Sequence, residues 1–552
     1  MATATFTDLE PVARATGNAG SRQHSAVSWR ELLVVPCLIM VQVILLGDPL
    51  PFQRSFWLDE IHTQLVIEDP SLPHAMSALA HGVDFNPPTY YLLAKGVSQL
   101  GIAPEIAQRG FSLGCILICS VSVYLLLRDR CSPVTATTAT LLIWSLNVVQ
   151  TQAFEARFYA PWLAAAGVFG LCLQRCSQNP SIRWRLGLAA SSLLMCSVHY
   201  FGIISLGLMA AGYIVQSYRS RAGRSLDLLW MTPGPVALGI CVVCFYQGQR
   251  SALSISTWVP ALSWTTFQEF ANEAFPTWAI GISLLAWCAT WLTMRSQQVM
   301  TPRQDAMEVE VPATDALMPR QLLPAASALA LMPVCLIVFS LVLQPALIAR
   351  YATVGTIGFA ILIAALLRQC PTWVSAAVGI WLFFTGFQSL TDQYHYWQRM
   401  ETRQAEIIAR LRRLDPEVPL IFESRHAMYP VTRYAPDLAS RVHFLALSNQ
   451  NLRDFDSATP FRIVERDVAT RIAEFYPQYR TFPFDQLQQL PRAYLFAFRQ
   501  RKDFGKQLEH FEVTQRFPQL YEIEPRSAGE TSAARSARNA SHDTGGTDTA
   551  TE

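Results

Sequence analysis

Apolar runs of bilayer length recur along most of this chain, and a chain built that way can hide them only in lipid or against one another. They lie near residues 31–48, 110–127, 133–150, 158–174, 186–200, 201–217, 228–246, 277–294, 322–344, 350–368 and 372–390. A bilayer span needs about 20 mostly apolar residues, so this spacing predicts about eleven transmembrane helices. Composition agrees. Of the 552 residues, 51% are hydrophobic and only 15% are charged, whereas a soluble domain carries roughly a quarter charged residues. The net charge of +2 gives no electrostatic footprint for nucleic acid. The twelve cysteines mostly fall inside apolar runs, where they read as small hydrophobes and not as disulfide partners.

Basic residues orient the runs. Arg22 and Arg30, Arg128 and Arg130, Arg175, Arg183 and Arg185, Arg219, Arg221 and Arg224, Arg295 and Arg303, and Arg368 all fall on one side. They do so only if "NPPTYYLLAKGVSQLG" is not counted as a span. The positive-inside rule makes that side the cytoplasm. Residues 88–100 then form an interfacial helix, with Tyr90 and Tyr91 expected at the headgroups. The loop 49–109 and everything from 392 onward face outward.

Residues 1–28 and the tail 527–552 are polar, rich in small residues and expected to be disordered. Residues 29–391 form the membrane domain. Within 392–526, "VPLIFES", "RVHFLAL" and "RAYLFAF" read as strands and "ERDVATRIAEFY" as a helix, which predicts a small α/β domain. No glycine-rich phosphate loop occurs in it.

The outward side collects charge. The first loop holds Asp59, Glu60, His62, His81, Asp84 and Lys95; "QTQAFEARFY" supplies Glu155, Arg157 and Tyr159; "PALIARYA" supplies Arg350 and Tyr351. Each has a plain alternative. Asp59 and Glu60 suit the first turn of any helix, arginines at a membrane edge snorkel, Glu155 and Arg157 suit an ion pair, and loop histidines are ordinary polar residues. Together they read otherwise. A carboxylate in a partly apolar cleft serves as a general base. Arginine or lysine at the same depth holds a lipid phosphate.

"FWLDEIHT", "DFNPPTYYLL", "QTQAFEARFYA" and "ARYATVG", in that order, resemble the C-type (GT-C) polytopic glycosyltransferases. Nearest are the dolichyl-phosphate-mannose protein mannosyltransferases and the lipid A aminoarabinose transferases. The resemblance covers residues 31–390. It implies a polyprenyl-phosphate sugar donor, a protein, lipid or glycan acceptor, and action on the outer face of a membrane, with a bacterial inner membrane as the expected setting. By position, Asp59 matches the acidic residue regarded as the base and Glu60 completes the acidic pair. Glu155, Arg157 and Tyr159 match a second-loop pattern. Arg350 and Tyr351 match an "RY" that contacts phosphate. Asp84 precedes the proline pair, but Asn86 stands where relatives carry His or Lys, and Lys95 is the expected substitute. Relatives differ in metal use, so no cofactor is required, while a divalent ion at Asp59 and His62 is left open.

The resemblance implies that Asp59 deprotonates an acceptor hydroxyl, which displaces the polyprenyl phosphate with inversion. Arg350, with Lys95 or Arg157, would hold the leaving phosphate. A membrane transporter of lipid or glycan is the main alternative, and a non-catalytic scaffold presenting the C-terminal domain a second.

Overall fold

A computed structural model describes residues 27–219, 225–252, 259–274, 319–447, 459–497 and 510–526, together with Gly281 and Leu508. The run at 277–294, the tail from 527 and nearly all of the N-terminal segment lie outside them. Every other apolar run is helical along most of its length. By length and apolarity, Pro104–Arg128, Asp227–Ser251 and Thr372–Leu411 suffice to cross a membrane among the described residues, and Leu323–Ala330 and Met332–Val342 reach that length only together, across a 43° bend. Shorter apolar helices such as Gly202–Tyr218 and Gly355–Leu367 complete the bundle.

The bundle is apolar on the outside. Ile118, Ile214, Val236, Ile240, Val338, Leu341, Ile380 and Phe384 are exposed, a surface that a soluble protein would not present and lipid would cover. Inside, helices approach over small residues and interhelical hydrogen bonds. Trp144 Nε1 donates to Gln42 Oε1 at 2.6 Å, Gln42 Nε2 to the Phe383 carbonyl at 2.7 Å, and Thr138 Oγ1 to the Ser375 carbonyl at 2.8 Å.

The two ends of the bundle differ. Pro104–Arg128 is one helix of 25 residues, so its ends lie about 37 Å apart. Arg128 at one end pairs with Glu31 at 2.7 Å; Arg109, near the other, pairs with Glu60 at 2.7 Å. The first loop gathers at the Arg109 end as the short helices Leu50–Gln53, Leu58–Glu68, Leu72–Ala80 and Thr89–Ser98.

Thr89–Ser98 coincides with the expected interfacial helix, but it is turned the other way. Tyr90 and Tyr91 are fully buried, and Leu92 and Leu93 form the exposed face. Tyr90 packs on Tyr91, Phe111 and Phe158 with ring centroids 5.7, 6.5 and 6.1 Å apart. The tyrosines therefore wall the interior and do not face the headgroups.

Thr372–Leu411 has 40 residues, about 60 Å of helix, twice what the hydrocarbon core takes up. Its second half leaves the bundle and carries the C-terminal domain. There a six-stranded sheet has the order β3-β2-β1-β4-β6-β5: β1 Leu420–Phe422, β2 Val442–Ala446, β3 Arg480–Pro483, β4 Ala493–Phe496, β5 Phe511–Phe517 and β6 Leu520–Pro525. The strands β1 to β4 pair in parallel, and β5 and β6 form an antiparallel hairpin added through β4. The three strands and the helix (Thr459–Phe475) read from sequence are present, while β3 and the hairpin were not anticipated. Gln519 makes the hairpin turn at φ 67°.

Side-chain alternation gives the sheet two buried faces. Leu420, Phe422 and Phe444 face a core continuous with the bundle, and Ile421, Leu445 and Leu495 face a second cluster. The domain grips the first loop. Arg433 donates to both Glu68 oxygens at 2.7 and 3.0 Å, and Tyr434 Oη accepts from the Phe56 N–H at 2.7 Å and donates to Glu105 at 2.9 Å.

Candidate functional site

Four segments meet where the C-terminal domain covers the bundle: the helix Leu58–Glu68, the loop around Asp84, the stretch Phe154–Phe158 between two bundle helices, and the 3-10 turn Ala349–Ala352. Each carries charge into a setting with little water, so pairing decides where each side chain sits.

Glu60 is the inner anchor. It is fully buried. Its Oε2 accepts from Arg109 Nη2 at 2.7 Å and from the Trp57 N–H at 3.2 Å, and its Oε1 accepts from the Ala156 N–H at 2.7 Å. Arg54 lies 3.7 Å away. Burial pushes the Glu60 carboxyl up, but Arg109 and then Arg54 outweigh it and hold it below its ordinary value. Arg109 in turn donates to the Phe52 and Ser55 carbonyls at 3.1 and 3.2 Å and to the Arg54 carbonyl. Glu60 was expected beside Asp59 as a catalytic carboxylate. In the fold it ties the first loop to the second.

Asp59 points the other way. Its Oδ2 lies 3.4 Å from Arg350 Nη1, and its side chain keeps 23% of its surface exposed. Burial raises this carboxyl too, but Arg157 and Arg350 prevail and hold it low, so it is ionised at neutral pH. Arg157 is held beneath it. Its Nη1 donates to the Asp59 carbonyl at 2.7 Å, to Asp84 Oδ2 at 2.9 Å and to Thr63 Oγ1. Asp84 also accepts from Thr63 Oγ1 and the Phe85 N–H, so its place is to fix Arg157. The Arg350 guanidinium lies 5.7 Å from the Tyr159 ring, and the Tyr159 and Tyr351 rings are 6.2 Å apart. Asp59, Asp84, Arg157, Tyr159, Arg350 and Tyr351, scattered over the sequence, are one cluster.

Glu155 sits at the edge of that cluster. Its carbonyl accepts from Ser112 Oγ at 2.6 Å and the next N–H is the one bound by Glu60, so its backbone is fixed on both sides. Its carboxyl Oε2 is buried without a hydrogen-bond partner. Burial, and then the negative charge of Glu60, raise this carboxyl from 4.5 to about 7.

Two expected residues lie elsewhere. Lys95 was the expected phosphate contact in place of Asn86. Its Nζ instead donates to the Ile67 carbonyl at 2.9 Å and to the Asp69 carbonyl, at the C-terminal end of the Leu58–Glu68 helix, where a cation meets the free carbonyls and the negative end of the dipole. His62 is buried with Nε2 3.4 Å from Arg425 Nη1, and burial and then Arg425 push its pKa well down. A divalent ion at Asp59 and His62 does not fit this arrangement, because Arg157, Arg350 and Arg425 already surround the two side chains. Among the described residues no group of three or more His, Cys, Asp or Glu stands ready to hold a metal.

A cavity of about 1220 Å³ opens beside the cluster. Trp57, Leu58 and Glu155 form its bundle wall, Ser389 to Gln404 of the long helix form its side, and Glu423 to Val431 of the C-terminal domain close it above. Asp59 and Arg350 do not line it. Leu58 and Glu155 are where cavity and cluster touch.

No family model matches the sequence, and no curated protein does. The fold is similar to that of ArnT from Cupriavidus metallidurans. The apo crystal structure gives a TM-score of 0.52 at 13% identity, covering 88% of this chain and 97% of the other. The crystal structure bound to undecaprenyl phosphate gives 0.50 at 14% identity, covering 91% and 99%.

Proposed function

We propose, from the GT-C membrane glycosyltransferase fold that this chain shares with ArnT, that it transfers a sugar from a polyprenyl-phosphate carrier to an acceptor hydroxyl. The observation that carries this reading is the approach of Arg350 to Asp59 at 3.4 Å, with Arg157 fixed beside them. A guanidinium at bilayer-edge depth is the group that recognises a lipid phosphate, and one ArnT structure was solved with undecaprenyl phosphate bound.

In the proposed reaction the donor phosphate takes its place against Arg350, with Arg157 adding a second positive charge nearby. The acceptor oxygen attacks the anomeric carbon, the bond from that carbon to the phosphate oxygen breaks, and the phosphate leaves with the electron pair. Charge grows on the phosphate in the transition state, so fixed guanidinium groups lower the barrier. Asp59, ionised and beside the reacting centre, orients Arg350 and stabilises positive charge on the sugar. Held low by two arginines, it is a poor resting place for a proton. A single displacement inverts the anomeric centre.

The positive-inside pattern supports placing the cluster on the outer face of the membrane. A transporter would draw its ionised groups along a path through the bundle, whereas here the cluster lies toward the Arg109 end, and ion pairs such as Arg128–Glu31 belong to the other end.

Glycan and lipid-linked-sugar profiles of a deletion strain, complemented with wild type, Asp59→Asn or Arg350→Ala, test the reading. Accumulation of a polyprenyl-phosphate sugar in the deletion and in both variants is expected. Full complementation by both variants, at normal protein levels, refutes it.

A further inference from the structure

Four carboxylates of the first loop and the Phe154–Phe158 stretch stand at the reacting cluster, and three of them are committed. Glu60 is closed in by Arg109, Arg54 and two backbone N–H groups. Asp84 accepts from Arg157, Thr63 and Phe85. Asp59 faces Arg350 and Arg157. Of these four carboxyls, that of Glu155 alone has a buried oxygen with no hydrogen-bond partner and a place on the cavity wall.

We infer that Glu155 receives the proton of the acceptor hydroxyl, and that the acceptor enters through the cavity beneath the C-terminal domain. This rests on the sugar-transfer reading above and assigns the one proton that the reaction must move.

The bookkeeping of the step is simple. The acceptor O–H bond breaks and its proton passes to a Glu155 oxygen. The acceptor oxygen bonds to the anomeric carbon, and the carbon–oxygen bond to the phosphate breaks with its electron pair leaving on the phosphate. Glu155 becomes neutral as the phosphate gains negative charge, which spares the site a second anion. The proton then returns to water through the cavity.

The charges around Glu155 suit it to this work. From the first loop it meets Glu60, Asp59 and Arg54, and from the 3-10 turn Arg350. Across the cavity stand Glu273 of the Trp264–Ala274 helix, and Asp392, Glu401 and Arg403 of the long helix. Glu423, His426 and Glu465 close it from the C-terminal domain. Carboxylates outnumber cations in this ring and favour the protonated form of Glu155, in keeping with its carboxyl at about 7. A base works best when its pKa lies near the working pH. Two carboxyls whose surroundings push their proton affinities apart divide such roles between them: Asp59 stays charged and Glu155 exchanges the proton.

The test uses the full-length chain in lipid nanodiscs, with undecaprenyl-phosphate-linked hexoses as donors and octyl glycosides as acceptors. The wild-type rate is expected to fall as pH is lowered through about 7. Glu155→Gln should lower the rate by about 10²–10⁴-fold and flatten that limb, and Glu155→Asp should keep a displaced limb. Both should bind undecaprenyl phosphate as wild type does. A Glu155→Gln protein that retains the wild-type rate and limb overturns the inference and leaves sugar transfer standing. Loss of undecaprenyl phosphate binding in the wild type itself overturns the functional reading, and this inference with it. An infrared titration supplies a readout that needs no substrate. A carboxyl band titrating near neutrality should vanish in Glu155→Gln and persist in Asp59→Asn; its persistence in Glu155→Gln overturns the assignment.

Discussion

Arg350 and Asp59 stand 291 positions apart in the chain and 3.4 Å apart in the fold. The contact joins the first loop to the start of a late bundle helix, and everything proposed for the site depends on that closure. Neither group would be stable alone at this depth, since an unpaired buried charge costs several kcal/mol.

Glu60 is a structural ion. Glu60→Ala strands Arg109 and Arg54 as buried, uncompensated cations, and removal of one partner of a buried pair costs about 3–5 kcal/mol. A marked drop in melting temperature and in yield is expected, larger than for Asp59→Ala. Thermal unfolding of the two variants in the same detergent compares them; equal stability would place Glu60 outside the scaffold.

The stability contributed by Glu155 should depend on pH with a definite sign. Its carboxyl is raised from 4.5 to about 7, so the folded chain binds this proton more tightly than the unfolded chain. The contribution is full below about pH 4.5 and is lost as pH rises through about 7. Glu155→Gln removes that dependence. Its melting temperature relative to wild type should therefore rise between about pH 5 and pH 8, and a constant difference would contradict the assignment.

Lys95 caps the Leu58–Glu68 helix through the Ile67 and Asp69 carbonyls. Lys95→Met should cost about 1 kcal/mol of stability through loss of the contacts to the Ile67 and Asp69 carbonyls. Binding of undecaprenyl phosphate, followed by native mass spectrometry, should stay within about twofold, a shift well under 1.4 kcal/mol. A tenfold loss of binding would return Lys95 to the site.

Bundle packing rests on close approaches such as Gly212. A Cβ placed there would lie 2.7 Å from the Pro324 carbonyl oxygen and run into Ala325. Gly212→Leu overpacks that helix pair and should cost about 1–3 kcal/mol, read as a lower melting temperature with the C-terminal domain intact. An unchanged melting temperature would mean that the two helices do not meet there.

Much of this was legible in the sequence because its signals are local and strong. Apolar runs of bilayer length mark the bundle helices, and the acidic pair after the first run marks the start of the Leu58–Glu68 helix. What was not legible depends on which way a helix turns or on partners far along the chain. Tyr90 and Tyr91 suit either headgroups or a buried wall, and only packing against Phe111 and Phe158 decides. Lys95 has the right charge for phosphate but lies behind the helix it caps. Arg109 went unnoticed because it lies in none of the stretches that drew attention to Arg157 and Arg350, and its partner Glu60 is 49 positions away. The β5–β6 hairpin carries no Asn-Gly or Asp-Gly turn; Gln519 makes its turn instead.

The central claim is that a lipid phosphate binds against Arg350. Titration of undecaprenyl phosphate into wild type and Arg350→Ala in nanodiscs, read by native mass spectrometry, tests it most directly. A charge-assisted hydrogen bond contributes about 1.5–3 kcal/mol, so Arg350→Ala should weaken binding by about 10–150-fold. Equal binding by the two proteins would contradict the account.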